Sequence, residues 1–445
     1  MEVVLAASSV DADIGCWDLQ SGAEQLRYQT CAAPSHGLIS VGSRFLASSQ
    51  IRDSSATAGL VLYWDWSKPQ VEAKSFPAEP IRPLAANHSG TYIAGGGLSG
   101  DIYFWEVETG RLLKKWHAHY MGVTCLVFSE DDSLLISGSE DGCIRVWSLF
   151  MIFDDLKRKE AGHLYEHSFS EHPLEVTDIV IGYGGCNAII ISAAEDKTCK
   201  VWSLSRGMLL RNIVFPSVID AIALDPAERV FYAGSRDGKI FIVALNTERM
   251  FSHNHDMHII SSFSNLSKAV TCLTYSASGN VLISGSEDGM VRLWNTKEKH
   301  ALERTLKYAK GPVNNILVVR RQLDSSKSMS STLQSPSSRR QGSLLPPPLE
   351  KYSNSTTDED SDVKTIVSLH DGRSGVDVSY MSSQVIFNQI KEFQNRGSSA
   401  SEMEMERLKT DCRRSGEMVD RFKKMYEDLL KFYEDDFLKE GQTKT

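Results

Sequence analysis

The sequence is short of the features that mark most membrane-spanning, secreted and catalytic chains. No apolar run approaches the ~18 residues that a membrane-crossing helix needs. The amino terminus, MEVVLAASSV, has neither a basic leader nor a cleavable apolar core, so no secretory signal is expected. The eight cysteines, at 16, 31, 125, 143, 186, 199, 272 and 412, include no C-x-x-C and no pair at zinc-ligand spacing. That scatter fits a reduced intracellular compartment. Basic residues are also in deficit, 48 against 57 acidic ones, for a net charge of −9. Bulk charge therefore does not draw the chain to nucleic acid, and any such contact needs a local patch. Arg320-Arg321 and Arg339-Arg340 are too sparse for one, which leaves direct RNA contact open.

Catalytic signatures are missing too. No nucleophile elbow, P-loop or kinase set occurs. Gly95-Gly-Gly97-Leu-Ser-Gly100 matches G-x-G-x-x-G, but the β-like DIYFW follows it. A dinucleotide site needs a helix there to receive the pyrophosphate, so the run reads as a glycine-rich turn. His253, His255 and His258 have no cysteine nearby and no visible supporting shell, and read as a solvated loop rather than a metal site. No catalytic, cofactor-binding or metal-ligating residue is expected.

What the sequence does hold is a repeat. Six of the eight tryptophans end short alternating β segments: IGCW (Trp17), LVLYW (Trp64), DIYFW (Trp105), CIRVW (Trp147), CKVW (Trp202) and MVRLW (Trp294). KIFIVAL carries Val243 at the same place. Successive copies lie 47, 41, 42, 55, 41 and 51 residues apart, a base period of 41 to 42 with insertions. Such a period marks four-stranded propeller blades, and seven copies predict seven blades. In the fullest copy, from His119 to Trp147, VTCLVF reads as the inner strand, LLISGS as the second and CIRVW as the third. Glu140-Asp141-Gly142 supplies the turn, with glycine where a positive φ is needed.

These residues resemble the WD-repeat family. The resemblance implies a hydrogen-bonded chain of His, Ser, turn Asp and Trp in each blade, since a buried acid and imidazole are tolerable only when they satisfy each other. His119, Ser137, Asp141 and Trp147 stand in those places, as do His172, Ser192, Asp196 and Trp202. The seventh copy keeps Ser284, Asp288 and Trp294 but has Leu266 for the histidine. The sixth keeps only Asp237, with Ala233 and Val243, and the third has Gly95 and Ser99. The first copy opens directly on a second strand, VVLAASS, and the run 311–320 after the seventh has no strands of its own. The two are expected to share one blade and close a propeller over 1–320.

Beyond 320 the composition changes. Residues 321–362 are rich in Ser, Pro and acid and poor in aromatics, and read as a disordered linker. Residues 363–382 have some strand character and are left unassigned. From 383 to 440 the pattern is helical: Met405, Leu408, Cys412, Ser415, Val419, Phe422, Tyr426, Leu429 and Tyr433 follow alternating steps of three and four. A helix over 402–439 would be roughly 57 Å long and has no core of its own. It needs a partner: the propeller's side, a second copy or another subunit. The fold expected is an all-β seven-bladed WD-repeat β-propeller, then a disordered linker and a coiled-coil-like tail.

A narrower resemblance rests on longer stretches: 3–28 (VVLAASSVDADIGCWDLQSGAEQLRY), 76–120 (beginning FPAEPIRPLAANHSG), 176–226 (beginning VTDIVIGYGGCNAIII) and KGPVNNILVV. They are similar to the plant ROOT INITIATION DEFECTIVE-type family, the plant form of the WD-repeat subunit of the Rix/PELP-type pre-ribosome complex. What this implies is a non-catalytic scaffold of the nucleus and nucleolus, acting in large-subunit maturation and internal-spacer rRNA processing. Its partners would be a Rix/PELP-type scaffold subunit, a testis-expressed-type HEAT-like subunit, the midasin ATPase and the large-subunit pre-ribosome. The resemblance also implies a homodimer through the C-terminal helix, and a link with cell proliferation and meristem and root development. Two other classes use propellers. Substrate receptors of cullin-type ubiquitin ligases carry Trp-Asp-x-Arg at a blade's end; here the tetrapeptides are Trp147-Ser-Leu-Phe150, Trp202-Ser-Leu-Ser205 and Trp294-Asn-Thr-Lys297. A Groucho-type transcriptional co-regulator would need its own N-terminal oligomerisation segment.

Overall fold

The computed structural model describes residues 2–10, 12–42, 44–50, 59–153, 163–245, 259–263, 268–276, 278–296, 301–308, 311–321 and 346–352. Those residues form seven antiparallel four-stranded sheets, arranged as the blades of a propeller. The innermost strand of each blade touches the innermost strands of its two neighbours, and the contacts run all the way round. Blade one takes its inner strand from the far end of the sequence: Asn315–Arg320 pairs with Glu2–Ala7, matching Asn315 to Ala7 and Arg320 to Glu2. Closure of this kind covers the two end faces that a linear array of blades would leave exposed.

Blade four shows how the local sequence builds the unit. Its strands are Val123–Phe128, Leu134–Ser139, Ile144–Ser148 and His167–Phe169. The second strand is buried along its whole length because it is internal to the sheet and covered on both faces, so small and aliphatic residues fill it. Gly142 turns the chain into the third strand at φ +76°, a conformation that costs glycine nothing sterically. The outermost strands differ: Glu24–Cys31 and Ala301–Lys307 are largely exposed.

The apolar core lies between blades rather than at the centre of the ring. Val4, Ala6 and Trp17 of blade one pack on Ile283, Val291 and Leu293 of blade seven. Leu5 and Tyr28 of blade one pack on Leu46, Leu62 and Trp64 of blade two. Each interface is therefore a small sandwich, and every blade depends on its neighbours for burial.

Two readings of the sequence are corrected. Gly95, Gly96 and Gly97 lie in a strand, Tyr92–Gly97, rather than in a turn. The reason is crowding: a Cβ on Gly96 would sit 2.6 Å from Val123, and one on Gly97 2.4 Å from the Glu79 carboxylate. The disordered linker assigned to 321–362 contains an ordered piece, 346–352, which is seated between blades two and three with Leu349 only 4% exposed. Proline-rich composition hid it, since two apolar side chains suffice to anchor a segment whose φ angles are already fixed. Leu266, the His253-His255-His258 group, the unassigned 363–382 and the heptads of 383–440, with Met405, Leu408, Cys412, Val419, Phe422, Tyr426, Leu429 and Tyr433, lie outside the described residues.

Candidate interaction surface

In blade five four side chains make one continuous chain of hydrogen bonds. His172 Nδ1 lies 2.9 Å from Asp196 Oδ2, and its Nε2 lies 2.8 Å from Ser192 Oγ. The Trp202 indole N–H donates to the same Ser192 oxygen at 2.9 Å. A neutral imidazole protonated on Nδ1 satisfies every atom: it donates to Asp196 and accepts from the Ser192 hydroxyl. Thr198 adds a hydroxyl and an amide to Asp196 Oδ1, at 2.6 and 2.8 Å. Burial opposes ionisation of Asp196, yet His172 and Thr198 outweigh it and hold the carboxyl below the ordinary range.

Blade four has the same parts in a looser fit. His119 Nε2 lies 2.7 Å from Ser137 Oγ, which also accepts from the Trp147 indole at 2.8 Å. His119 Nδ1, however, is 3.4 Å from Asp141 Oδ2 and is left without a hydrogen bond. Asp141 accepts instead from the Tyr120 and Cys143 amides, at 3.1 and 2.9 Å. Burial pushes the fully enclosed His119 below its usual pKa. Blade seven keeps Ser284 against Trp294 at 2.8 Å, while Asp288 accepts from Arg292 Nη2 at 2.6 Å. Arg292 stands two places before its tryptophan, as do Arg145 and Lys200. Those two donate instead to the Ala118 and Glu171 carbonyls, just ahead of their blades' histidines. The cation register was present in the sequence as a recurring Arg or Lys, and the reading of the blades passed over it.

The remaining blades use other devices. Asp237 of blade six accepts from the Lys239 amide at 3.2 Å and pairs with its ammonium. Trp64 of blade two donates to the Gln29 carbonyl of blade one. In blade three Glu79 receives the Ser99 hydroxyl at 2.7 Å, the Ser99 amide at 2.9 Å and the Tyr103 hydroxyl at 2.8 Å. Trp105, with Gly95 where a serine would accept, donates at 2.9 Å to the carbonyl of Glu350.

All of this polar structure holds one face of the propeller in place. Val123 pairs with Ser139, so the approach to the inner strand and the 140–143 turn lie at the same end of the blade. Large apolar side chains stand out from this end: Tyr120, 82% exposed, with Phe76, Leu98, Met121 and Leu174. Charged groups alternate with them. Arg82 pairs with Glu140, and Arg236 bridges Asp220 and Glu195 at 2.9 and 2.6 Å. Inside the ring a cavity of about 510 Å³ is lined by His36, Arg82, Glu175, Asp220 and Glu287 among others. His36 reaches across it from the lead-in to blade two, with Nε2 at 3.2 Å from the Thr177 carbonyl of blade five. Burial first, then the neighbouring acids, raises the carboxyls of Glu175 and Asp220. Among the described residues no three His, Cys, Asp or Glu side chains are placed to hold a metal ion. The surface offers aromatic anchors, ion pairs and a fixed backbone, the ingredients of protein recognition.

Comparison with known proteins agrees with this architecture. Residues 110–148, 164–203 and 257–295 match the WD domain, G-beta repeat family. The chain is 54% identical over 435 residues to Protein ROOT INITIATION DEFECTIVE 3 of Arabidopsis thaliana, covering 97% of each. It is 35% identical to WD repeat-containing protein 18 of Homo sapiens, over 72% of this chain and 73% of that one. With the pre-rRNA-processing protein crb3/ipi3 of Schizosaccharomyces pombe it shares 26% identity, over 65% of this chain and 75% of the other.

Proposed function

The chain belongs to the WD-repeat family that holds ROOT INITIATION DEFECTIVE 3 and WD repeat-containing protein 18, and from that premise we propose that it is a non-catalytic scaffold in ribosome biogenesis. In this reading it works in the nucleus and nucleolus, in maturation of the large subunit and processing of internal-spacer rRNA. The observation that carries it is the pairing of two matches. One relative shares 54% identity over 97% of each chain, and a more distant one is named for pre-rRNA processing. The plant relative's name supports an added role in root initiation.

The structure supports a platform role. Buried histidines that elsewhere could serve as bases are here bonded to serines of their own blades, and the exposed face carries Tyr120, Phe76 and Met121 on a rigid frame. Its partners are proposed to be a Rix/PELP-type scaffold subunit, a HEAT-like subunit and the midasin ATPase on the large-subunit precursor. A second copy joins through the tail heptads. The plant relative's match extends over 97% of the chain, tail included, against 72% for the human one.

One fractionation tests all of this. Nuclear extract from plant cells carrying two differently tagged copies is run on a sucrose gradient, and the peak is read by mass spectrometry. Both tags should co-purify and travel with large-subunit precursors, alongside midasin and the scaffold subunits. Migration as a small complex with a cullin adaptor would overturn the assembly and favour a ligase receptor. Single-tag recovery from the precursor peak would remove the dimer alone.

A further inference from the structure

We infer that the cleft between blades two and three is a peptide-docking site for an extended Pro-Pro-Leu-Glu segment, and that the chain fills it with its own residues 346–352. The walls of the site come from strands of the propeller. Ser75 ends the outer strand of blade two, Ala73–Ser75. Trp105 and Leu112 stand on the third and fourth strands of blade three, Asp101–Glu106 and Leu112–His117. Three of the four receiving groups thus belong to strands of the sheets, and the fourth, Gly110, to the turn between two of them.

The segment meets them with four hydrogen bonds. The Leu349 amide donates to Ser75 Oγ at 2.9 Å, and the Glu350 amide to the Gly110 carbonyl at 2.8 Å. The Trp105 indole donates to the Glu350 carbonyl at 2.9 Å, and the Leu112 amide to the Glu350 carboxylate at 3.3 Å. Leu349 joins a buried cluster that spans both blades, including Val61 and Tyr63 on one side and Ile81 and Trp105 on the other. Gly110, at φ +71°, allows the close approach, since a Cβ there would lie 2.6 Å from the Pro348 oxygen.

This chemistry specifies the ligand. Pro347 and Pro348 are exposed, so burial does not explain them. Three successive prolines fix φ and lower the entropy lost on docking, and they bring no N–H that would need a partner. The first amide after them is Leu349's, and it finds Ser75. Leucine fills the interblade pocket, the backbone carbonyl of the next residue serves the Trp105 indole, and the glutamate side chain serves the Leu112 amide. In blades four, five and seven the corresponding indole is satisfied by a serine of its own blade. Blade three has glycine at that place, so the docked segment supplies the acceptor that the repeat lacks.

The test uses the full-length chain and compares it with Leu349→Asp. Hydrogen exchange of the 105–117 region should quicken by about tenfold or more in the variant, while blade five stays protected. A synthetic peptide of sequence PPPLEKY, in excess, should restore that protection to the variant. The peptide PPPDEKY should fail, and wild type should be indifferent to either because its site is filled. Equal exchange in the two proteins, or no rescue by PPPLEKY, would overturn the proposal. Glu350→Ala, which keeps the Leu349 contact and removes the side-chain acceptor, gives a second reading: the Leu112 amide alone should exchange several-fold faster. An unchanged Leu112 rate would remove the glutamate from the recognition.

Discussion

Blade five satisfies its buried polar groups from within one repeat, between His172 and Trp202, whereas blade three takes the acceptor for Trp105 from a residue 245 positions away. Both end their third strand on a fully buried tryptophan, so the apolar requirement is the same. The difference lies in what the strand beneath the ring offers. Ser192 presents a hydroxyl to the indole and to His172 at once. Gly95 offers none, and the Trp105 ring occupies the space where its Cβ would be, 2.9 Å away. A repeat fold thus tolerates loss of a local hydrogen bond when another part of the chain can reach the orphaned group.

The largest effect should come from breaking the self-sufficient blade. Ser192→Ala leaves both the Trp202 indole and His172 Nε2 unpaired in a buried site. At about 1–3 kcal/mol for each of the two buried orphans, the loss should be roughly 2–6 kcal/mol. Chemical denaturation monitored by tryptophan fluorescence reads it. A change under about 1 kcal/mol would mean that the hydroxyl is not what holds these two groups.

The reverse exchange sharpens the comparison. Gly95→Ser writes the missing hydroxyl into blade three, and a pattern-based view would expect it to stabilise. The structure predicts the opposite. The new Cβ would meet Trp105 at 2.9 Å and Ile81 at 3.0 Å, so the ring must move and its bond to Glu350 is lost. Overpacking of this kind costs about 1–3 kcal/mol, measurable as a lowered unfolding midpoint. A raised midpoint would show that blade three can adopt the arrangement of blade five, and that the distant segment is dispensable.

The same contrast explains what could be read from the residues alone. Inner, second and third strands of most blades were legible because their apolar content and closing tryptophan recur at a fixed period. Outer strands were not: Ala301–Lys307 is exposed at five of its seven positions and carries three charged residues, so nothing in its pattern demands a sheet. His172 and Asp196 were legible because their spacing within a repeat is set by two strands and a turn. Glu79 was not, since its partners Ser99 and Tyr103 belong to a blade that departs from the pattern. Leu349 and Glu350 lay beyond any local rule. Their meaning depends on a vacancy created by Gly95, and only the folded chain brings the two together.

Blade four lies between these extremes, and the pH dependence of its own histidine tests how loose its fit is. Its histidine is enclosed like His172, but its Nδ1 stands 3.4 Å from Asp141 without a hydrogen bond, and burial favours the neutral ring. The folded-state pKa of His119 is therefore depressed below 6.5, so the unfolded chain binds more protons as the solution is acidified. Stability from this site is complete above pH 6.5 and declines as the pH falls through that value. Asp141 and Asp196 are held below 3.8 and act in the same direction, but only at lower pH. Other histidines have their own slopes: His88, beside Asp132, is raised and contributes with the opposite sign. The informative quantity is thus the difference between wild type and His119→Asn, measured by denaturation at pH 7.5 and 5.5. One proton caps the slope at about 1.4 kcal/mol per pH unit, and the wild type should lose close to ~1 kcal/mol more than the variant. The asparagine variant losing as much as wild type would mean that Asp141 closes on a protonated His119.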